Sequence, residues 1–145
     1  MLHAHSGFRW IALILIIFTI YKAFKGIKNT EEYTAKHKML ALGTLIVFHT
    51  MVLIGFGLIF SSTNSQTLFF NVLHPILMAT AAVAVTMGYS KAKKEEASSM
   101  KFRKILIFYS VALIIVLVAI PWPFKAALGG IQKPQLKITH GNRSF

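Results

Sequence analysis

Four apolar stretches, at about 5–22, 39–60, 68–89 and 105–122, constrain this chain more than any other feature. Each approaches the ~20 residues that an α-helix needs to cross a hydrocarbon core ~30 Å thick. A chain inside a bilayer must satisfy its backbone polar groups without water, and a single apolar stretch does so as a helix. The expected fold is all-α: an integral membrane, up-and-down four-helix bundle over 1–124, followed by a polar, basic tail over 125–145. No internal repeat or low-complexity tract interrupts that plan.

The charge pattern sets the expected orientation. Sixteen Lys and Arg stand against four acidic residues, a net charge of +12 that in a soluble chain would suggest nucleic acid. Eleven of the sixteen fall in two connections, Lys22, Lys25, Lys28, Lys36 and Lys38 between spans one and two, and Lys91, Lys93, Lys94, Lys101, Arg103 and Lys104 between spans three and four. The positive-inside rule places both connections in the cytoplasm and both termini on the outer side of the membrane. The basic balance thus reads as topology, with the lipid bilayer as partner and no nucleic acid. Trp10 and Trp122 near the outer boundary and Tyr21 and Tyr89 near the inner one suit the same arrangement. The lysines follow the first apolar stretch rather than preceding it, so that span reads as a retained helix and not a cleaved signal.

The first span is short of apolar residues. Its unbroken run extends only from Trp10 to Tyr21, and reaching across the bilayer draws His5, Ser6, Gly7 and Arg9 into the outer edge. Ionisable groups at that depth are costly unless they face the bundle or a ligand. Between the first two spans, Asn29 or Thr30 ahead of Glu31 and Glu32 is expected to cap helix two. The short connection from Ser61 to Gln66 makes helices two and three antiparallel neighbours, and residues 90–104 read as a charged, solvated helical extension.

The six histidines are the residues best suited to chemistry, since neutral imidazole binds haem iron, copper and zinc. At a rise of ~1.5 Å per residue, His5 and His74 each lie about 25 Å from the lysine-rich end, while His49 lies about 16 Å from it. His37 belongs to the inner connection, His3 to the outer mouth and His140 to the tail, where a solvated imidazole is the ordinary outcome. A single intramembrane histidine is as often a group bonded to a neighbouring carbonyl as it is a ligand. Three of them on three spans suggest a ligand in the bundle.

Helical spacing places His5, Arg9, Ala12, Ile16, Thr19 and Ala23 on one stripe, and Asn71, His74, Met78, Ala82 and Gly88 on another with one longer step. Small-residue packing accounts for the alanines and glycines of such stripes but not for the histidines or the arginine. Helices one and three are diagonal in an up-and-down bundle, so His5 and His74 would face each other at one level and hold a haem between two imidazoles. His49 with His74 is the competing pair if helix two sits a turn higher. Arg9 would then neutralise a propionate, or else reach to the headgroups. Copper or zinc on His5, His49 and His74, with Met78 as a soft ligand, is the rival cofactor. No span holds Asp or Glu, and the chain has no cysteine, which argues against carboxylate proton relays, di-iron sites, hydrolytic dyads and thiol chemistry.

Several segments resemble the small four-span bacterial membrane proteins known as cytochrome b. They are HSGFRW at His5–Trp10, YTAKHKMLAL at Tyr33–Leu42, the segments around His49 and His74, GYSKAKK at Gly88–Lys94, and FYSVALIIVLVAIPWPF at Phe108–Phe124. The resemblance implies a b-type haem and one-electron transfer, with His5, His49 and His74 in the histidine-bearing segments. The expected function is a membrane-bound electron carrier whose haem sits on two of these three histidines, without substrate turnover of its own. An accessory subunit of a larger membrane complex is the alternative, and a copper or zinc protein the third.

Overall fold

The computed structural model describes residues 2–61 and 72–120, with side chains from residue 5 onward. They form four helices, α1 (Leu2–Lys28), α2 (Ala35–Ser61), α3 (His74–Lys94) and α4 (Ser98–Ala119), with no strand among the described residues. Three of the four, α1, α2 and α4, are long and apolar enough to cross a membrane. The expected third span is only partly described: 68–71 lies outside the described residues, and α3 ends in Lys91, Lys93 and Lys94. The connection after Ser61, Asn71, Trp122, His140 and the whole 121–145 tail also lie outside them.

Every helix extends beyond its apolar stretch at the lysine-rich end. Lys, Glu and Ala are good helix formers, and the lysines closing α1 and α3 interact favourably with the negative end of the helix dipole. Helix formation therefore continues past the point where hydropathy stops.

Hydrogen bonds around Thr30 correct the expected cap. The Glu31 N–H donates to the Gly26 carbonyl (3.0 Å) and the Thr30 N–H to that of Ile27 (3.4 Å), with Thr30 at φ 50°. These are the two bonds of a Schellman ending, so Asn29 and Thr30 terminate α1 instead of starting α2. The cap of α2 falls four residues later, where Thr34 packs its N–H (3.3 Å) and hydroxyl (3.0 Å) against His37 Nδ1. His37 thus reaches back from the third helical position as Glu does in a capping box. Its ring lies edge-on to Phe102 (4.9 Å) and stacked near Tyr33 (5.9 Å), so it is a packed group and not the solvated loop residue expected from sequence. A left-handed β-branched residue costs about 1–2 kcal/mol. Thr30 is exposed, so Thr30→Gly should stabilise the protein by about 1 kcal/mol, seen as a higher melting temperature in detergent.

The helices pack α1 on α2, α2 on α3, α3 on α4 and α4 on α1. The α1 stripe expected from its spacing is the inward one: Ala12, Ile16, Thr19 and Ala23 are buried. On α3 the buried positions are small, Ala81, Ala82, Ala84, Gly88 and Ala92, joined by Val85, which fills the longer step in the expected stripe. Phe102, Ile105, Tyr109 and Val116 of α4 are buried in the same core. At Gly88 a Cβ would sit 2.7 Å from Phe108 Cβ, so the absence of a side chain there is what lets α3 and α4 approach.

Two polar contacts cross the core. Tyr109 is fully buried and donates its hydroxyl to the Ala41 carbonyl at 2.8 Å. Thr19 and Thr44 meet at 2.8 Å, and each hydroxyl also approaches a carbonyl of its own helix, Leu15 at 2.7 Å and Leu40 at 3.0 Å. Two hydroxyl protons serve three contacts, so the pair alternates between bonding across and bonding back. The outward faces carry the large apolar residues: Ile14, Leu53 and Phe60 are each more than 60% exposed. Such a surface is compatible with lipid.

Candidate metal or haem site at the His5 and His74 pair

His5 and His74 meet at one end of the helices, with ring centroids 6.3 Å apart and ring planes at 77°. They come from α1 and α3, which are not packing neighbours, so the pair spans the interior. His5 owes its position to α1 extending back to Leu2. A methyl at Gly55 would lie 3.8 Å from His5 Cε1, an ordinary contact distance, so α2 runs close beside the ring at this level.

His74 is set by the start of α3. The chain enters through Val72 and Leu73, wound as a wider π turn, and Pro75 follows within the first helical turn, where no N–H is needed. His74 Nδ1 donates to the carbonyl of Ala119, the last residue of α4, at 2.9 Å. A carbonyl only accepts, so Nδ1 carries a proton. Metal-binding histidines are commonly oriented through such a bond from the other ring nitrogen.

His5 has the complementary feature. Its Nδ1 is buried with no hydrogen-bond partner. Buried polar atoms are rarely left so, because an unmade hydrogen bond costs about 1–3 kcal/mol. Two imidazoles on opposite sides of one metal atom, with metal–nitrogen bonds of about 2 Å, have ring centres roughly 6 Å apart. The pair lies at that spacing, and imidazole is a standard axial donor to haem iron.

The third candidate is not brought to the pair. His49 lies on the exposed side of α2, its Nδ1 donating to Leu45 O at 2.9 Å and its Nε2 3.4 Å from the Thr86 hydroxyl. Thr86 donates its own proton to the Ala82 carbonyl at 2.8 Å, so its contact with His49 is weak. No group of three or more His, Cys, Asp or Glu that could hold a metal occurs among the described residues. Arg9 is half-buried one turn below His5, with its guanidinium 5.7 Å from the Trp10 ring centroid, a cation–π contact at the edge of the site. Met78, one turn along from His74, is partly buried against the core.

Gly55 and the Ala119 carbonyl are parts of the site that sequence reasoning did not single out. A glycine about as far up α2 as His5 is along α1 was the available sign for the first. A backbone acceptor carries no side-chain signature at all. Compared with known protein families, with curated proteins and with solved structures, the chain matches none of them.

Proposed function

We propose that the protein is a multi-pass b-type cytochrome of the bacterial inner membrane: an up-and-down four-helix bundle with both termini on the periplasmic side, holding haem b between His5 and His74. The observation that carries this reading is the pair itself, two imidazoles from diagonal helices at 6.3 Å, one with an unpartnered buried nitrogen and the other held by a backbone carbonyl. The lysine-rich ends of all four helices lie away from the pair, which supports an outer-side site under the positive-inside rule.

Bound haem supplies a one-electron iron couple. His5 and His74 would hold it, His74 oriented by its bond to the Ala119 carbonyl, and Arg9 would be the cation for a propionate. The protein then acts as an electron carrier, alone or within a membrane complex, with a redox partner at the outer face.

The absorption spectrum of the purified protein tests this. A Soret band that sharpens and shifts on dithionite reduction is expected; a colourless, metal-free preparation would sink the reading. The ring spacing also suits a bare ion between the same two imidazoles. Stoichiometric copper or zinc without a Soret band would assign the pair to that role instead.

A further inference from the structure

At the opposite end of the helices, a cavity of about 180 Å³ opens between the start of α2, the end of α3 and the start of α4. Lys38, Lys93 and Lys101 line it together with Tyr33, Thr34 and Tyr89, and no acidic side chain does. All four acidic residues of the chain are described: Glu31 faces His37 at 3.9 Å, Glu95 faces Lys104 at 3.9 Å, and Glu32 and Glu96 are exposed elsewhere. Among the described residues, none of the three lining lysines lies within 4.0 Å of a carboxylate. Three lysines thus line one cavity with no carboxylate of the described residues paired to them.

The remaining groups suit an anion. Burial, and secondarily Tyr89, pushes the Tyr33 phenol up to about 12, so it stays an un-ionised hydroxyl and adds no negative charge. Lys101 is held with its Nζ 5.7 Å from the Tyr33 ring centroid, which restrains it at the rim. Ala35, also in the lining, is the first residue of α2, whose leading N–H groups have no intrahelical acceptor and whose dipole favours negative charge. Size selects further: the cavity equals the liquid volume of about six waters, ample for a tetrahedral oxyanion and the first atoms of an ester arm.

We propose that this pocket binds a phosphate group, either the phosphodiester of an anionic phospholipid or a free phosphate. Its depth suits the first source. Lys38 immediately precedes the apolar stretch of α2, Lys93 follows that of α3, and Lys101 precedes that of α4, so the cavity lies at headgroup level if the helices span a bilayer. Basic pockets between membrane helices recognise anionic headgroups in this way. The proposal does not depend on haem at the other end.

The test uses the full-length protein in a neutral detergent, with melting temperature and lipid retention by native mass spectrometry as readouts. Phosphatidylglycerol is added against phosphatidylcholine, and inorganic phosphate against chloride at equal ionic strength. Preferential stabilisation by phosphatidylglycerol, lost in Lys38→Gln/Lys93→Gln/Lys101→Gln but kept in Lys25→Gln/Lys36→Gln/Lys94→Gln, supports the site with a lipid ligand. The same dependence with inorganic phosphate supports it with a free one. At about fivefold per lysine, the pocket variant should lose on the order of a hundredfold in affinity. Lys93→Gln alone, at an exposed position, should lose about fivefold and tests the same site if the triple variant folds poorly. No preference for either probe, or equal loss in the two triple variants, overturns the proposal.

Discussion

His74→Ala is expected to abolish the Soret band of the purified protein, while His49→Ala leaves the reduced spectrum nearly unchanged. The contrast follows from where the two rings sit. His74 meets His5 with ring centroids 6.3 Å apart, and its Nδ1 donates to the Ala119 carbonyl. His49 is on the exposed side of α2, its Nδ1 bonded to Leu45 O and its Nε2 only in weak contact with Thr86 of α3. Alanine at 74 removes one of the two donors, and the bond to the last residue of α4 with it. The bond is a single contact worth about 1 kcal/mol, so the variant should remain folded, which helix content and size-exclusion profile would verify. His5→Ala should behave like His74→Ala. Loss of haem in His49→Ala, with His5→Ala unaffected, would move the ligand pair to His49 and His74.

The second large effect concerns the α3–α4 contact. Gly88→Val should destabilise the protein by about 3 kcal/mol, the upper part of the range for overpacking. The Cβ of any residue there meets Phe108 Cβ at 2.7 Å and two Tyr109 ring atoms at 3.2 Å. Phe108 Cβ is one bond from the backbone, so relief requires α4 itself to retreat, and Tyr109 would be pulled from the Ala41 carbonyl. Gly26, where three Phe102 ring atoms lie 2.6–2.7 Å from an added Cβ, should respond in the same direction. Gly43 and Gly57 of α2 have nothing within 4 Å of theirs, so alanine at either should leave stability unchanged or slightly raised. Melting temperatures of the four variants in one detergent would check the contrast; equal behaviour of Gly88 and Gly43 variants would refute the close approach.

Much of the helical plan was legible in the sequence. The inward stripe of α1 was readable from its three-to-four spacing, as were four helices from four apolar stretches. Their ends were less so. Hydropathy marks where a helix stops being greasy, not where it stops being helical; the helical extension expected over 90–104 is present as the end of α3 and the start of α4 at Ser98, but broken at 95–97. The role of Asn29 and Thr30 is ambiguous in sequence because polar residues flank both the end of one helix and the start of the next. Only the backbone bonds to Gly26 and Ile27 show which helix they serve.

The first span's deficit of apolar residues, filled by His5, Ser6 and Arg9, was readable as the mark of an unusual end. Residue type and depth sufficed to put His5 and His74 at a common level, because rise along a helix is a local property. Depth alone could not separate them from His49, since it says nothing about rotation or about which helices are neighbours. Tertiary packing decided that. Small residues on α3 draw α4 close, α1 and α3 are left facing across the interior, and His49 turns outward onto Thr86. The lysines divide in the same way: their positions along the chain determine a charged end, whereas the gathering of Lys38, Lys93 and Lys101 around one cavity depends on three helices meeting there. Local sums of hydropathy and charge are written in the sequence directly. Which side chains share a space is set by close packing between segments far apart in the chain, and only the folded structure contains it.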